Sequence, residues 1–327
     1  MPRRLRDNRK LVMVALGGNA FQPPGSKVIS LEESWSRVRR VAEALARVVG
    51  EGYRIVVTHG NGPQVGMLLE WMEALRDRYQ PLTLDIADAM TQGWLGYMLV
   101  QALHNELQRL GLLGRDGIKG VVALVNRVLV SLEDPAFRNP TKPIGPLYTH
   151  EQAEKLAREK GWVFKRDPRG GWRRVVPSPD PIENIEVEAI RALVDQGWIV
   201  VASGGGGIPV ARAGGELVGV EAVVDKDLAA ERLATALGCR LLVILTDVDY
   251  VYLNYGKPGM KPIKKMSVAE ALKYYEEGHF PPGSMGPKVL ASIRFIESGG
   301  EEARIGKLEN AYKCIVYGEE CTRITKG

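Results

Sequence analysis

Residues 197–207 read "GWIVVASGGGG", and the fold class turns on how that stretch is taken. Trp198 to Ala202 form an apolar run too short for a helix and bounded by glycine, which is how a strand buried on both faces of a parallel sheet is written. Glycine allows positive φ and close approach of a ligand or a neighbouring backbone, so the loop after the strand is either a phosphate cradle or a tight turn. The same unit recurs toward the N-terminus. "KLVMVAL" (10–16) ends at "GGNA", and "YRIVVT" (53–58) ends at "HGNGPQVG", which opens a helix. Between them Ser30 and Glu33 carry capping-box spacing, and apolar residues from Trp35 to Val49 recur at helical spacing up to Gly50. A helix over about Asp85 to Leu110 follows, then a strand candidate at Val121 to Val125. Beyond the opening stretch come a hairpin through "VARAGGELVGV", the helix "DKDLAAERLATALG", the strand "LLVILT", a helix after Ser267, another over "GPKVLASIRFIESG" and a last strand, "KCIVYG". Repeated strand–loop–helix units predict an open, mainly parallel α/β sheet covered by helices on both faces, with ligands bound beyond the carboxyl ends of its strands.

One segment breaks the alternation. From about 133 to 181 prolines crowd in "NPTKPIGPL" and "VPSPDP", Thr149 to Lys160 reads as a short capped helix, and "WVFKRDPRGGWRRVV" reads as a hairpin around a Pro/Gly turn, so a small protruding subdomain is expected. It is basic, with eight Lys/Arg against four acids between His150 and Val175. The whole chain is only mildly basic, at +5 from 44 basic and 39 acidic residues, which argues against nucleic acid as partner. Three cysteines without C-x-x-C spacing support neither a disulfide framework nor a zinc site and suit a reducing cytoplasm. No run approaches the roughly 18 apolar residues of a membrane span. The basic "MPRRLRDNRK" reads as a frayed tail before the first strand.

Three glycine loops fall at equivalent topological positions: Gly17, Gly18 and Asn19; Gly60, Asn61 and Gly62; and Ser203, Gly204 and Gly205 with the two glycines after them. Backbone amides at such loops and at helix starts can converge on one anion. There is no G-x-x-x-x-G-K-[ST], so a P-loop is excluded, and "GNGPQVG" as a dinucleotide fingerprint, with Asp77 or Asp85 on the ribose, has Pro63 inside the loop and leaves the other two loops unexplained. Phosphoryl transfer asks mainly for positioning and fixed positive charge. Three lysines stand in suitable contexts: Lys226 at a helix start between Asp225 and Asp227, Lys288 behind the turn in "GSMGPKVL", and Lys142 in "PTKPIG" of the insertion. The four histidines show neither metal-ligand nor triad spacing and read as structural, with His59 alone placed to line the site.

"ALGGNA", "THGNGPQVG", "PTKPIGP", "VPSPDP", "ASGGGGIPV", "DKDLAA", "LTDVDYVYLNYGKP" and "GHFPPGSMGPKV" occur in this order from about Leu11 to Gly318, and together they resemble the carbamate kinases of the amino acid kinase family. The resemblance implies a three-layer α/β/α sandwich, a homodimer, and reversible Mg2+-dependent transfer between ATP and carbamate giving ADP and carbamoyl phosphate. It implies that the "GGN" and "GNG" loops surround the transferred group with "SGGGG" as a further wall. Lys226 and Lys288 neutralise charge along the path, Asp227 holds the lysines, and Lys142 covers the carbamate. Thr246, Asp247, Val248 and Tyr252, with Met285 and Lys288, border the nucleotide. Residues 1–238 are then the acceptor-side lobe and 239–327 the nucleotide-side lobe, with no metal ligand assigned among the side chains.

Overall fold

In the computed structural model residues 10–23, 30–167 and 170–327 are described; the basic segment 1–9, residues 24–29 and residues 168–169, where a Pro/Gly turn is expected, lie outside them. The chain begins with β1 (Leu11–Leu16), α1 (Leu31–Gly50), β2 (Arg54–His59), α2 (Gly62–Ala74), α3 (Leu84–Arg109), β3 (Gly120–Ala123) and β4 (Arg127–Leu129). The insertion supplies β5 (Lys142–Tyr148), α4 (His150–Lys160), β6 (Val163–Arg166) and β7 (Trp172–Val176). There follow β8 (Glu183–Asn184), α5 (Val187–Asp195), β9 (Trp198–Val201), β10 (Ile208–Ala213), β11 (Glu216–Gly219), α6 (Lys226–Leu237) and β12 (Leu241–Thr246). The C-terminal part adds β13 (Val251–Leu253), β14 (Lys261–Ile263), β15 (Lys265–Ser267), α7 (Val268–Glu276), α8 (Met285–Glu297), β16 (Glu302–Lys307), α9 (Ala311–Tyr317) and β17 (Cys321–Thr325).

Eight strands form the central sheet in the order β15-β17-β16-β12-β1-β2-β9-β3. Every neighbouring pair is parallel except β16 with β17. β1 sits in the middle and shows why its sequence is apolar throughout. Val12, Val14 and Leu16 point into one core with Val38 and Leu45 of α1, Leu95 and Leu99 of α3 and Ile315 of α9. Leu11, Met13 and Ala15 point into the opposite core with Ile190 of α5, Leu233 of α6 and Ile293 of α8. All six β1 residues are buried, and each large one contributes roughly 1.5–3 kcal/mol by leaving water. The result is the expected three-layer α/β/α sandwich. No described helix is long and apolar enough to cross a membrane.

Capping explains several helix starts. Ser30 Oγ accepts from Glu33 N at 3.3 Å before α1, and Thr149 and Ser267 close full capping boxes with Gln152 and Glu270 before α4 and α7. The segment "KCIVYG", expected as a strand, is instead most of helix α9. Ala311, Cys314 and Ile315 fall on one buried helical face, and Gly318 closes the helix at φ 67°. The strands near this end of the sheet are the unexpected "EARIGK" (β16) and "CTRIT" (β17) on either side of it in sequence, with β15 outside them at the edge.

The insertion folds as a flap whose three-stranded sheet has the order β5-β7-β6. β5 carries Pro143 and Pro146, which a strand tolerates only at an edge, and that proline content hid it in the sequence. The flap is seated by Ile144 and Val176 against Val65 of α2, Leu84 and Ala87 of α3 and Val223. Its base is held by Arg294 of α8, which donates to Asp180 Oδ1 at 2.7 Å, and by Arg232 of α6, which donates to the Pro181 carbonyl at 3.1 Å. At the seam Gly66 of α2 meets the backbone of Gly145. A Cβ on Gly66 would lie 2.7 Å from Gly145 Cα, so Gly66→Ala must push the flap from its seat. The expected cost is about 1–3 kcal/mol, measured as a lower urea midpoint; an unchanged midpoint would contradict this seating.

Candidate active site

The site is assembled from helix starts and strand ends on one side of the sheet. Asp225, the N-cap of α6, accepts from Asp227 N at 2.9 Å through Oδ1, which turns both carboxylates and Lys226 toward a common cavity. Asp225 Oδ2 accepts from Lys142 Nζ of the flap at 2.7 Å. Asp227 is a fork: Lys226 donates to Oδ1, and Lys288 of α8 donates to Oδ2 at 2.8 Å. Three ammonium groups thus stand on two carboxylates, with only 26%, 12% and 13% of the Lys142, Lys226 and Lys288 side chains exposed.

The electrostatics follow from burial opposed by pairing. Burial pushes the Asp227 carboxyl up, but the ammonium groups of Lys226 and Lys288 outweigh it and hold the group below its ordinary value. Asp225 is held well below its ordinary value, against burial, chiefly by Lys142. Burial pulls Lys226 down, only partly countered by Asp227 and reinforced by Lys288. Lys288 ends up raised, because Asp227 more than offsets its desolvation. The cluster carries one positive charge in excess in a poorly solvated place, which suits an arriving polyanion.

These groups line a cavity of about 230 Å3 together with Gly18, Gly60, Asn61, Gly62 and Gly205. A second cavity of about 160 Å3 is lined by Thr246, Asp247, Val248, Tyr252 and Met285, with Tyr255 and Phe280 adding aromatic wall. Ser284 and Lys288 line both, so Lys288 stands at the junction of the two.

The glycine loops divide their labour. The Gly17 amide is spent on the Leu245 carbonyl at 2.9 Å and the Gly60 amide on the Leu16 carbonyl at 3.0 Å. The amides at the start of α2 and of the short 3-10 turn Gly18–Ala20, which contains Asn19, lie where no intrahelical acceptor exists. Asn61 lines the cavity, but its side-chain amide is committed to α3, donating to Asp88 Oδ1 at 2.8 Å and Thr91 Oγ1 at 2.9 Å. Asp88 is wholly buried, and desolvation pushes its carboxyl well above the usual range despite the bond from Asn61.

Only Gly205 of "SGGGG" lines the cavity. Ser203 and Gly204 lie behind its wall: the Ser203 hydroxyl accepts from Asn184 Nδ2 at 2.6 Å, and the Gly204 carbonyl accepts from Gln92 Nε2 at 3.0 Å. A Cβ at Gly204, Gly205, Gly206 or Gly207 would fall within 2.5 Å of His59, Asn61, Val224 or Val128 respectively. The run is therefore first a junction where four segments touch. Pro63, Ser284, Tyr255 and Phe280 also line the cavities, and nothing in the sequence marks them as site residues. Asp225, by contrast, has a readable signal, as the first acid of "DKD" at a helix start.

His59 is buried behind the loops, against Phe21, and does not line either cavity. Burial lowers it to about 4, with Lys226 adding to the effect and a hydrogen bond to the Gly60 carbonyl opposing it.

The amino acid kinase family model matches residues 10–307, and the chain belongs to that family. It is 53% identical over 310 residues to the carbamate kinase of Pyrococcus furiosus, covering 94% of this chain and 96% of the relative. A crystal structure from Aeropyrum pernix K1 superposes with a TM-score of 0.88 at 48% identity, over 97% of this chain and 100% of that one. A carbamate kinase from Giardia lamblia bound to AMP-PNP superposes with a TM-score of 0.87 at 38% identity, over 97% and 99%. Within the family the chain stands with the carbamate kinases.

The neutral His59 gives a test of the buried site wall. The unfolded chain takes up this proton near pH 6.5 and the folded chain only near 4, so stability falls as pH drops through that window. The share lost is on the order of 3 kcal/mol. Urea unfolding at pH 7 and pH 4.5 should show a smaller loss for His59→Gln than for the parent; parallel losses would refute the assignment.

Proposed function

We propose that the chain is a carbamate kinase and that its lysine–carboxylate cluster carries reversible phosphoryl transfer between ATP and carbamate, giving ADP and carbamoyl phosphate. The observation that carries this reading is the placement of Lys142, Lys226 and Lys288 on Asp225 and Asp227, in a cavity that meets an aromatic-walled one at Lys288. The nucleotide would lie against Tyr252 and Met285 with its phosphates directed toward Lys288 and the start of α8. The acceptor would lie under Lys142, beside Gly18, Gly62 and Gly205. A carbamate oxygen forms the new bond to the γ-phosphorus while the bond to the β,γ-bridging oxygen breaks, and ADP leaves with that electron pair. Carbamate is already an anion, so no proton need be removed, and alignment with charge neutralisation remains. Lys226 and Lys288 would exchange their carboxylate partner for phosphoryl oxygens as charge develops.

Mg2+ would enter as part of the nucleotide substrate. Asp225 and Asp227 are occupied by lysines, and among the described residues no group of three His, Cys, Asp or Glu is placed to hold an ion. Phosphate oxygens and water are the usual ligands of this hard cation, which would neutralise charge on the transferred group. On this reading residues 1–238 serve the acceptor and 239–327 the nucleotide. The three cysteines are free and buried, which suits a reducing cytoplasm.

Replacing Lys226 or Lys288 by Ala should lower kcat for ATP formation from ADP and carbamoyl phosphate on the order of 10²- to 10³-fold. Lys142→Ala should instead raise KM for carbamoyl phosphate with ADP binding largely kept. Parent-like rates in the first two, or a defect confined to ADP in the third, would contradict these roles.

A homodimer is supported by the outer face of α3, where Ile86, Met90 and Tyr97 are 43%, 42% and 57% exposed at helical spacing. Met90→Lys combined with Tyr97→Lys should shift the sedimentation-equilibrium mass from two chains to one. A parent mass of one chain, or a mutant mass still of two, would refute this face.

A further inference from the structure

A further cavity of about 310 Å3 lies between α2 and the flap, and Ile144 lines both it and the lysine cluster's cavity. Its wall is largely apolar, with Leu69 from α2, Ile144 from β5 and Trp162 beyond α4. Three polar groups open onto it with unused bonding capacity. Arg174 of β7 has only 14% of its side chain exposed, yet its one ion pair, to Glu221, spans 3.8 Å. Its guanidinium rests over Trp162, 4.0 Å from the ring centroid, and makes no hydrogen bond among the described residues. The Tyr148 hydroxyl and the exposed Glu70 carboxylate of α2 likewise have no hydrogen-bond or ion-pair partner among the described residues.

The charges are arranged, not merely present. Burial pulls the Arg174 guanidinium down, against the attraction of Glu221, Tyr148 and Glu73, which marks a cation short of compensation. Burial raises the Tyr148 phenol, with Glu70 adding to the shift and Arg174 opposing it, and all three side chains line the same cavity. A guanidinium with free donors is matched by a carboxylate, a free carboxylate by an ammonium, and the wall between them by hydrocarbon. The volume is at the small end of ligand cavities.

We propose that this cavity binds an α-amino acid with an apolar side chain, its carboxylate on Arg174 and Tyr148, its ammonium on Glu70 and its side chain against Leu69 and Trp162. Such an occupant bridges two elements that carry the acceptor site. α2 begins at Gly62 of the "GNG" loop, and β5 begins at Lys142. Occupancy therefore biases the seating of the flap, and the coupling is read as a change in KM for carbamoyl phosphate, of the 5- to 150-fold size usual between linked sites.

Calorimetric titration of the full chain with L-leucine and L-methionine tests this, with 4-methylpentanoate lacking the ammonium and 3-methylbutylamine lacking the carboxylate. Expected is saturable binding of the amino acids, one per chain, retained with ADP present and at least about tenfold weaker for either truncated analogue. Arg174→Gln and Glu70→Gln should each weaken L-leucine to a similar degree, and Glu70, exposed on α2, keeps the test valid if Arg174→Gln does not fold. The proposal is overturned by no saturable binding of either amino acid up to about 10 mM, by parent affinity in the Glu70 variant, by equal affinity for 4-methylpentanoate, or by displacement with ADP.

Discussion

The Asp227 fork is the contact on which the arrangement depends. A buried carboxylate shared by two ammonium groups is costly to form from solvated parts, and removing it would leave two cations desolvated, at a cost of several kcal/mol. Its position at the start of α6 lowers that cost, because the exposed amides and dipole of a helix N-terminus favour negative charge. Asp225 repeats the device one residue before the helix, capping it with one oxygen and holding Lys142 with the other. The lysines come from residues 142, 226 and 288, so the fold has to bring together a flap, a helix start two-thirds of the way along the chain and a helix near the C-terminus. On the proposed reading, arriving substrate oxygens would replace the carboxylates as anionic partners of the same lysines, leaving little reorganisation for the moment of transfer.

The glycine run Gly204–Gly207 has a different primary duty from the one its composition suggests. Four consecutive missing side chains admit His59, Asn61, Val224 and Val128, which belong to the end of β2, the "GNG" loop, the approach to α6 and β4. Close packing at this junction fixes where the "GNG" loop stands relative to the start of α6, and hence the distance between backbone amides and lysines. Phosphate cradle and tight turn are therefore not alternatives: the turn aligns the cradle, and only Gly205 touches the cavity itself.

Much of this was legible in the sequence, for identifiable reasons. β1, β2 and β9 are largely apolar and run into glycine-rich loops, and β12 is apolar up to Thr246, so strand type and loop position could be read directly. Helices α4 and α7 announce themselves by capping boxes. The run "KCIVYG" misled because four apolar residues suit a strand or a helix equally, and Ala311 one turn earlier, with Gly318 as cap, decides for the helix. β5 was obscured by two prolines that an edge strand tolerates. The Lys142–Asp225 pair joins residues 83 apart, and no spacing rule reaches that far. The direction of the Asn61 side chain was equally hidden, since it depends on Asp88 and Thr91 of a helix whose packing only the fold defines.

On the proposed reading Asp227 preassembles two lysines for transfer without itself binding the nucleotide. Asp227→Asn keeps the volume and one hydrogen-bond acceptor but removes the charge, so steady-state kinetics of ATP formation from ADP and carbamoyl phosphate test it most directly. The predicted result is a fall in kcat on the order of 10- to 100-fold with KM for ADP within about threefold of the parent. A parent-like kcat, or a loss residing wholly in KM for ADP, would contradict it.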